Sequence, residues 1–480
     1  MELPGLSGTV ESSDAPQKVN TVDLKPEHEW RFEVGLDASV KVKILSGLAE
    51  IFGTELAIGK TYTFTGTKSS VFTWKGCRIE WSGTVLTEYT SDETVMGSYV
   101  NLHFALEKLR IEASFRDELF QQSLEQEFGS AGHNAVPVAA ANKLQSKESE
   151  GPKILIIGPR SSGKTSLAKI LTAYAVKLSR SPIVVSLDPK QGMLSLPGTI
   201  TAASFQSLLD VEEEWGSSET TGPVQIQSKN PITYYYGSDN PVDNLRYYKK
   251  LVNQLSLVVS SRTAVDHKTR ISGTIIDAAG IIDPAVGYEL IDEIVSDFDV
   301  KVIVTIGHER LYNDLLKKFQ PKKSITVVKV PRSGGVVEHD AAYLRATQQR
   351  AIKEYFHGSP KNPLSAYTMT IDSNLLTAFK IDEQSHLVGS SILPIGSDEA
   401  TALPPLVKKI KVNTGLSNAI LAVLYAKPND SEADIAEASV MGFIDVLDVD
   451  EAKSKLKVLT PVRSRFPTQA FLAGSYHFLE

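Results

Sequence analysis

Apolar and polar residues alternate with two different periods along this chain, and the change of period divides it into regions. In residues 29–90, apolar side chains occupy every second position of short runs, as in Trp30-Arg-Phe32, and glycines separate the runs. This period is typical of half-buried strands, and turns about every 8 to 12 residues predict a small β-sandwich or barrel. From Tyr99 to Ile111 the apolar positions follow a helical spacing, which predicts a helix ending this first domain.

Two polar stretches flank this N-terminal β domain, which we place at residues 29–111. Residues 1–28 are rich in Ser, Asp, Pro and Lys and predict a mobile tail. Residues 112–150 are rich in Gln, Ser, Glu, Ala and Asn with weak periodicity, and they predict a linker of low order.

Residues 151–357 alternate short apolar runs with helical stretches, as a mostly parallel sheet with helices on both faces requires. Helical spacing predicts two of the helices at 243–260 and 341–356. Residues 358–480 are β-rich again and predict a small C-terminal domain. The predicted central strands are 154–157, 183–187, 274–276, 300–306 and 325–330.

The loop after the first central strand carries the motif most informative about function. Its sequence, Gly158-Pro-Arg-Ser-Ser-Gly163-Lys164-Thr165, fits the P-loop pattern GxxxxGK[ST]. In that pattern backbone N–H groups surround phosphate oxygens, the lysine bridges the outer phosphates and the hydroxyl ligates Mg²⁺. Gly163 leaves room for the phosphate, and the flanking strand and helix make an idle glycine turn the weaker interpretation. We therefore predict that a nucleoside triphosphate with Mg²⁺ is bound by Ser161, Ser162, Gly163, Lys164, Thr165 and Ser166.

Two acidic residues follow neighbouring strands of the predicted sheet. Asp188 comes after strand 183–187, and Asp277 comes after strand 274–276. The carboxyl ends of such strands lie beside the phosphates, so Asp277 is predicted to hold Mg²⁺ together with Thr165. Asp188 is predicted to hold the metal through water or to accept the proton of an attacking hydroxyl. For both, an Asp in a turn after a strand is the alternative.

Basic residues outside the P-loop suggest two further roles. Arg332, Arg345 and Arg350 precede or lie within the last central helix, where one or two could close over a transferred phosphate, or could simply be solvated. A second set could contact RNA phosphates if its members share one face, although a solvated charged surface is the better interpretation. This set is Lys408, Lys409, Lys411, Lys453, Lys455, Lys457, Arg463 and Arg465.

Composition limits what the chain can be. It has 480 residues, 42% hydrophobic and 22% charged, which is ordinary for a globular protein of two to four domains. A net charge of -7 argues against coating nucleic acid or membrane with the whole surface, so any RNA contact is local. The lone Cys77 allows no intramolecular disulfide and points to a reducing compartment. No apolar run suggests a membrane span, and no signal peptide is evident.

With these residues assembled, the chain resembles the polynucleotide-kinase-like subunit of the eukaryotic pre-mRNA cleavage and polyadenylation machinery, in a family of RNA 5'-hydroxyl kinases and their fungal relatives. The resemblance implies nuclear localisation and ATP held between the central and N-terminal domains. It also implies docking to the scaffold subunit of the cleavage factor that binds RNA polymerase II, and to other 3'-end processing subunits. The motifs that carry it are Phe52-Gly-Thr-Glu-Leu56, Val71-Phe-Thr-Trp74, Asn101-Leu-His-Phe104, Gly158 to Ser166, Leu187-Asp188, Pro197-Gly198, His308-Glu-Arg-Leu-Tyr312, Ser333-Gly-Gly-Val-Val-Glu338 and Glu354-Tyr-Phe356.

The same resemblance implies two nucleotide contacts in the N-terminal domain. Glu29 and Lys68 match family positions of this kind. A carboxylate accepts from an adenine amino group, and a lysine reaches adenine or ribose acceptors.

The chain departs from the active kinases it resembles in two places. Ala278-Ala-Gly280-Ile281 stands where they carry a Thr-x-Gly-Trp type clasp, and Gln348 stands at a second lid arginine, while Arg345 is retained. Loss of such an arginine costs ~10³-fold or more in phosphoryl transfer. We therefore favour an ATP-loaded assembly subunit that holds its nucleotide structurally. An active RNA 5'-hydroxyl kinase, with Asp188 as base and Arg345 on the lid, is the alternative, and a switch ATPase or GTPase is a weaker third.

Overall fold

The computed structural model describes residues 18–128, 149–190, 192–215, 229–322, 324–359, 362–382, 405–463 and 465–478. Within them the chain forms two compact units. The first unit holds the chain up to Ile51 and Glu55–Thr94, and the second holds Phe52–Thr54 and everything from Val95 onward. The predictions made for residues 1–17 and 129–148 lie outside the described residues.

The first unit is a β-sandwich, as its period-2 pattern predicts. Its strands are β1 Asn20–Leu24, β2 His28–Glu33, β3 Ser39–Gly47, β4 Glu50–Ile51, β5 Thr54–Glu55, β6 Thr61–Thr65, β7 Lys68–Thr73, β8 Cys77–Gly83 and β9 Thr87–Ser91. One sheet has the order β1-β8-β3-β6 and the other the order β5-β4-β7-β2-β9. Aromatic pairs join the two sheets, with ring centroids 5.7 Å apart for Trp30 and Trp81 and 5.4 Å apart for Phe32 and Phe64.

Two predicted boundaries are corrected by the structure. Strand β1 pairs antiparallel with β8, so the tail prediction for residues 1–28 is wrong from Asn20 to Leu24. Helix α1, Met96–Phe128, has 33 residues and continues through the first part of the predicted linker. Beyond residue 111 it is held by the buried Asp117 carboxylate, which accepts hydrogen bonds from His267 and Arg270. A polar composition does not reveal such tertiary contacts.

The second unit is built on a sheet of seven strands. They are β10 Lys153–Ile157, β11 Ile183–Ser186, β12 Thr199–Ser204, β13 Lys229–Tyr235, β14 Thr274–Asp277, β15 Val302–Ile306 and β16 Thr326–Val330. The order is β13-β12-β11-β14-β10-β15-β16. The five strands β11, β14, β10, β15 and β16 pair in parallel with their neighbours in this order, which confirms the predicted strands. Strands β12 and β13 pair antiparallel at the β11 edge, and the prediction missed them.

Six helices follow these strands, and two of them match the predicted helices closely. Asn244 caps α3 by accepting from Tyr247 N, and Asp340 caps α7 by accepting from Tyr343 N. The helices are α2 Lys164–Lys177, α3 Leu245–Val265, α4 His267–Ser272, α5 Gly287–Asp297, α6 Glu309–Phe319 and α7 Ala341–His357. None of the helices in the described residues is both long and apolar enough to cross a membrane.

The C-terminal region forms a further sheet of seven strands, with the order β17-β22-β21-β20-β23-β18-β19. Its elements are β17 Tyr367–Asp372, β18 Thr377–Ile381, β19 Val407–Ile410, β20 Ala419–Leu424, α8 Glu432–Glu437, β21 Val440–Asp450, β22 Lys455–Thr460 and β23 Ala470–His477. The ring of Phe443 packs against Tyr235 and Tyr355, so this sheet shares the core of the central one. The C-terminal region is therefore β-rich as predicted, but it packs with the central sheet in one unit.

Candidate nucleotide-binding site

The P-loop, residues 158–163, is fixed at both ends by buried elements. Strand β10 is buried along its whole length, and α2 buries the helically spaced apolar residues Leu167, Ile170 and Leu171. Helix α2 begins at Lys164, and its N-cap, Gly163, contributes no side-chain hydrogen bond. No N-cap side chain therefore accepts a hydrogen bond from the first N–H groups of the helix, and an anion is their natural partner.

Two glycines give this loop its shape. Gly163 has φ +88°, a left-handed conformation in which any side chain is strained, in addition to the room we expected it to leave. Gly158 is required for lack of space, because a Cβ there would lie 2.9 Å from Ser162 Oγ and 3.1 Å from Ile306 O. The loop thus packs directly against the end of β15.

The Lys164 ammonium lies against the loop that precedes it. Its Nζ is 2.8 Å from Pro159 O and 3.4 Å from Gly158 O, and the side chain is buried. Burial lowers the pKa of Lys164, while the nearby Asp277 and Asp188 carboxylates act in the opposite direction. A buried cation at this position suits the charge of a polyphosphate.

Thr165 and Asp277 form the pair that the sequence predicts for a metal site. Thr165 Oγ1 donates a 2.6 Å hydrogen bond to Asp277 Oδ2, so the lone pairs of the hydroxyl stay available. Asp277 Oδ1 is buried and accepts no hydrogen bond from the described residues. Burial raises the pKa of Asp277 to about 6, with Lys164 lowering it. A hydroxyl oxygen and a carboxylate oxygen with free capacity fit the oxygen preference of Mg²⁺.

Asp188 lies in a turn at the carboxyl end of β11. Its Oδ1 accepts a 3.1 Å hydrogen bond from Lys190 N, as the turn alternative requires. Burial nevertheless raises the pKa of Asp188, and the positive charges of Lys164, Lys190 and Arg160 oppose that rise. The residue therefore serves a turn and also faces the positive groups of the P-loop.

The segment after β14 supports the P-loop instead of forming a clasp. A Cβ on Gly280 would lie 2.8 Å from Arg160 N and 2.9 Å from Arg160 Cα, so the loop backbone rests directly on this glycine. Ala278 and Ala279 are buried and have only methyl groups. The contact between Gly280 and Arg160 was not foreseen from the sequence, because it joins residues far apart in the chain.

Helix α7 brings an amide to the loop that carries Asp188. Gln348 Nε2 donates a 3.0 Å hydrogen bond to Lys190 O. Arg350 Nε pairs with Glu354 of its own helix at 2.7 Å. Arg345 is exposed, and it forms no hydrogen bond or ion pair with any residue in the described ranges.

Glu29 and Lys68 lie in the first unit, and both have partners there. The Glu29 carboxylate is buried and accepts from Arg31 Nε at 2.8 Å and from Thr94 Oγ1 at 2.5 Å. Lys68 Nζ lies 3.0 Å from Glu33 Oε2. Their contact with a nucleotide stays a prediction.

The basic residues of the C-terminal region do not form one patch. Lys408 lies on β19 and Lys455 on β22, and four strands separate β19 from β22 in the sheet. Lys408 Nζ is 2.9 Å from Asp382 Oδ2, and Lys455 is the cross-strand partner of Asp450. A contact with RNA through one shared surface of these residues is therefore not supported.

The fold and the site together define a class. A strand of a parallel sheet leads through a GxxxxGK[ST] loop into a helix N-terminus, and a buried lysine and a Thr–Asp pair lie beside the loop. These features are those of a P-loop nucleoside triphosphate-binding protein.

Comparison with known proteins narrows the class to a family. Family models match residues 23–113 as the N-terminal beta-sandwich domain of polyadenylation factor, 158–358 as the mRNA cleavage and polyadenylation factor CLP1 P-loop, and 364–480 as the pre-mRNA cleavage complex II protein Clp1. The mRNA cleavage and polyadenylation factor clp1 of Botryotinia fuckeliana is 42% identical, over 99% of this chain and 98% of that protein. The factor of Aspergillus niger is 38% identical, over 98% of each. The chain belongs to the Clp1 family of mRNA cleavage and polyadenylation factors.

Solved structures agree with this assignment. One describes an extended interface between Pcf11p and Clp1p and the structural basis for ATP loss in a glycine-to-arginine point mutant, with a TM-score of 0.80, 26% identity and coverage of 97% of this chain and 100% of that one. Another is a wild-type Clp1p–Pcf11p complex, with a TM-score of 0.78, 27% identity and coverage of 97% and 99%. The predicted fold class and the family resemblance are both confirmed.

Proposed function

We propose that this chain is the ATP-binding subunit of the nuclear pre-mRNA 3'-end cleavage and polyadenylation complex, that it is required there for endonucleolytic cleavage, and that it holds its nucleotide structurally. Membership of the Clp1 family supports the complex and the compartment. The Clp1p–Pcf11p complexes support docking to a Pcf11p-like scaffold subunit that binds RNA polymerase II.

The observation that carries the structural role is the contrast between the P-loop and its surroundings. Lys164 and the uncapped N-terminus of α2 provide positive charge and N–H donors for the phosphates. Thr165 would ligate Mg²⁺, and Asp277 would orient that hydroxyl and accept from metal-bound water. The metal neutralises phosphate charge when bound. The methyl side chains of Ala278 and Ala279 provide no charge or hydrogen bond to a phosphoryl group in transfer.

A bound nucleotide of this kind acts on stability by mass action. A ligand that binds the folded chain alone, at 100 times its Kd, stabilises it by about 2.7 kcal/mol. A P-loop is therefore useful to an assembly subunit even where no phosphate is transferred.

A second candidate function is phosphorylation of an RNA 5'-hydroxyl, and Asp188 is the observation that favours it. Burial raises the pKa of this carboxylate, which moves it toward the range of a general base. Arg345 would have to close onto the phosphate from an exposed position.

One assay separates the two candidates. The purified chain is incubated with γ-labelled ATP, Mg²⁺ and a 5'-hydroxyl oligoribonucleotide, and labelled RNA, free phosphate and protein-bound ATP are measured after gel filtration. We expect unchanged ATP that elutes with the protein. Robust labelling of the RNA, lost in Asp188→Ala, would overturn the structural role in favour of the kinase.

A further inference from the structure

The loop after β11, of which residues 187–190 and 192–198 are described, is fixed through its main chain at several points. Leu187 O accepts a 2.5 Å hydrogen bond from Tyr248 OH of α3. Pro189 O accepts a 2.7 Å bond from Gly198 N, at the end of the loop where β12 begins. Both donors belong to the second unit, so these bonds hold the loop to its own scaffold.

A third bond comes from α7. Gln348 Nε2 donates to Lys190 O at 3.0 Å, and Lys190 N donates to Asp188 Oδ1 at 3.1 Å. The main chain of Lys190 thus accepts a hydrogen bond from Gln348 of α7 at its carbonyl and donates one to the Asp188 carboxylate from its N–H. A displacement of Gln348 is transmitted to Asp188 through a single residue.

The segment that precedes α7 lies close to the P-loop. The segment that leads from β16 into α7 places Val336 Cγ2 only 3.4 Å from where a Cβ on Gly163 would be. The segment entering α7 thus approaches the P-loop, and the bond from Gln348, farther along α7, joins that helix to the loop of Asp188. A nucleotide can leave more easily when one of these connections opens.

Helix α7 does not depend on this bond for its folding. Its C-terminal half buries Ile352 and Phe356 completely, and Tyr355 OH accepts a 2.9 Å hydrogen bond from Phe443 N. The residue that follows Gln348 in α7, Gln349, donates a 2.9 Å bond to His477 O in β23. Two adjacent glutamines on one helix thus make equivalent bonds to main-chain carbonyls, of which only one reaches the loop of Asp188.

We infer that Gln348 is a positioning residue that sets how long the bound nucleotide stays: it holds Lys190 O, fixes the loop of Asp188 to α7 and slows release. The inference rests on the proposed function and adds the residue that controls nucleotide residence. The amide carries no charge, so it acts through Lys190 and Asp188 and does not replace a lid arginine at the phosphate.

The test compares Gln348→Glu with Gln349→Glu. Each change is isosteric, adds the same charge and replaces a donor by an acceptor that faces a carbonyl. Labelled ATP with Mg²⁺ is loaded onto the full chain, chased with excess unlabelled ATP and followed by filter binding. We expect release to be about fivefold to tenfold faster in Gln348→Glu, the range that one hydrogen bond supports, and within about twofold of the parent in Gln349→Glu.

A third variant and a stability measurement separate the loss of the donor from the effects of added charge and of weakened folding. Gln348→Met removes the donor without adding charge, and we expect it also to release ATP faster than the parent. The nucleotide-free Gln348→Glu and Gln349→Glu proteins should melt at similar temperatures, because each loses one equivalent hydrogen bond. A difference in ATP release between them would then not come from a difference in folding stability. Parental release from Gln348→Met, or equally fast release from both Glu variants, would overturn the inference. A parent that retains no ATP would instead refute the proposed function.

Discussion

Two strand ends of one sheet face the same site and are equipped very differently. Strands β10 and β14 pair in parallel, so the P-loop and the segment Ala278–Ile281 emerge side by side. The first provides the buried Lys164 ammonium and an uncapped helix N-terminus. The second provides methyl groups and a glycine that supports the backbone of Arg160. Groups that bind a triphosphate and groups that transfer its phosphate are therefore separate, and one set can be lost while the other is kept.

The energetic reason is that the two tasks use different interactions. Holding ATP needs charge and donors matched to the ground state, which the P-loop has. Transfer needs interactions that strengthen only as the phosphoryl group moves. Gln348 offers a neutral amide that is already bonded to Lys190 O, so it has no free charge for the moving group. Substitutions on the two sides should therefore differ sharply in effect.

The largest effect is expected at Lys164. Lys164→Ala removes a buried charge and its charge-assisted hydrogen bonds, worth ~1.5 to 3 kcal/mol for one such bond. ATP affinity should fall roughly 100-fold, and the protein as purified should melt at a lower temperature because it no longer carries ligand. Nucleotide content after gel filtration and melting with and without ATP are the measurements. Equal melting of the stripped parent with and without ATP would contradict a stabilising nucleotide.

The next largest effect is expected on the pH dependence of stability, through the protonation of Asp277. Its pKa rises from 3.8 to about 6 on folding, so the folded chain binds the additional proton between these values. The free energy of unfolding of nucleotide-free protein should therefore fall as pH rises through this interval, by roughly 2 to 3 kcal/mol.

Asp277→Asn should make the free energy of unfolding depend less steeply on pH. A smaller decrease with rising pH should remain, because the pKa of Asp188 is also raised. Urea unfolding at several pH values between 4 and 6.5 measures the slope. An unchanged slope in the variant would show that Asp277 is not the group responsible.

A smaller effect is expected from the support under the P-loop. Gly280→Ala would place a methyl group 2.8 Å from Arg160 N, so the loop must move. Overpacking of this kind costs ~1 to 3 kcal/mol, and ATP affinity should fall by about tenfold. Gly97→Ala is the control, because a Cβ there meets no heavy atom within 4 Å and the residue lies in α1. The control should be neutral or slightly stabilising.

The elements that the sequence predicted well are those with an uninterrupted apolar signal. The five parallel strands and the P-loop follow from short buried runs and a motif with fixed spacing. Strand β12 was missed because Thr199–Ser204 is buried throughout although half of it carries hydroxyl groups. Thr199 shows how this is possible, since its Oγ1 donates a 2.6 Å hydrogen bond to Leu196 O.

The parts of the site that were missed depend on contacts between distant residues. Gln348 lies 158 residues from its acceptor Lys190, and a glutamine in a polar helix carries no sign of such a bond. Tyr248 lies within the predicted helix 243–260 and its ring is buried, yet its hydroxyl also donates a hydrogen bond to Leu187 O. Periodicity identifies which face is buried, but it does not identify the partner of a polar atom.

The smallest effect is expected on the transfer side, at Arg345. Arg345→Gln should change ATP affinity and ATP release by less than about twofold, because the side chain is exposed and bonds to none of the described residues. Filter binding with labelled ATP measures both, and Lys164→Ala shows the size of effect that a phosphate contact produces. A loss of about fivefold or more in Arg345→Gln would mean that α7 brings this arginine to the phosphates. The groups that bind the triphosphate and those that could transfer its phosphate would then be less separate than the contacts indicate, and the kinase alternative would have its lid arginine.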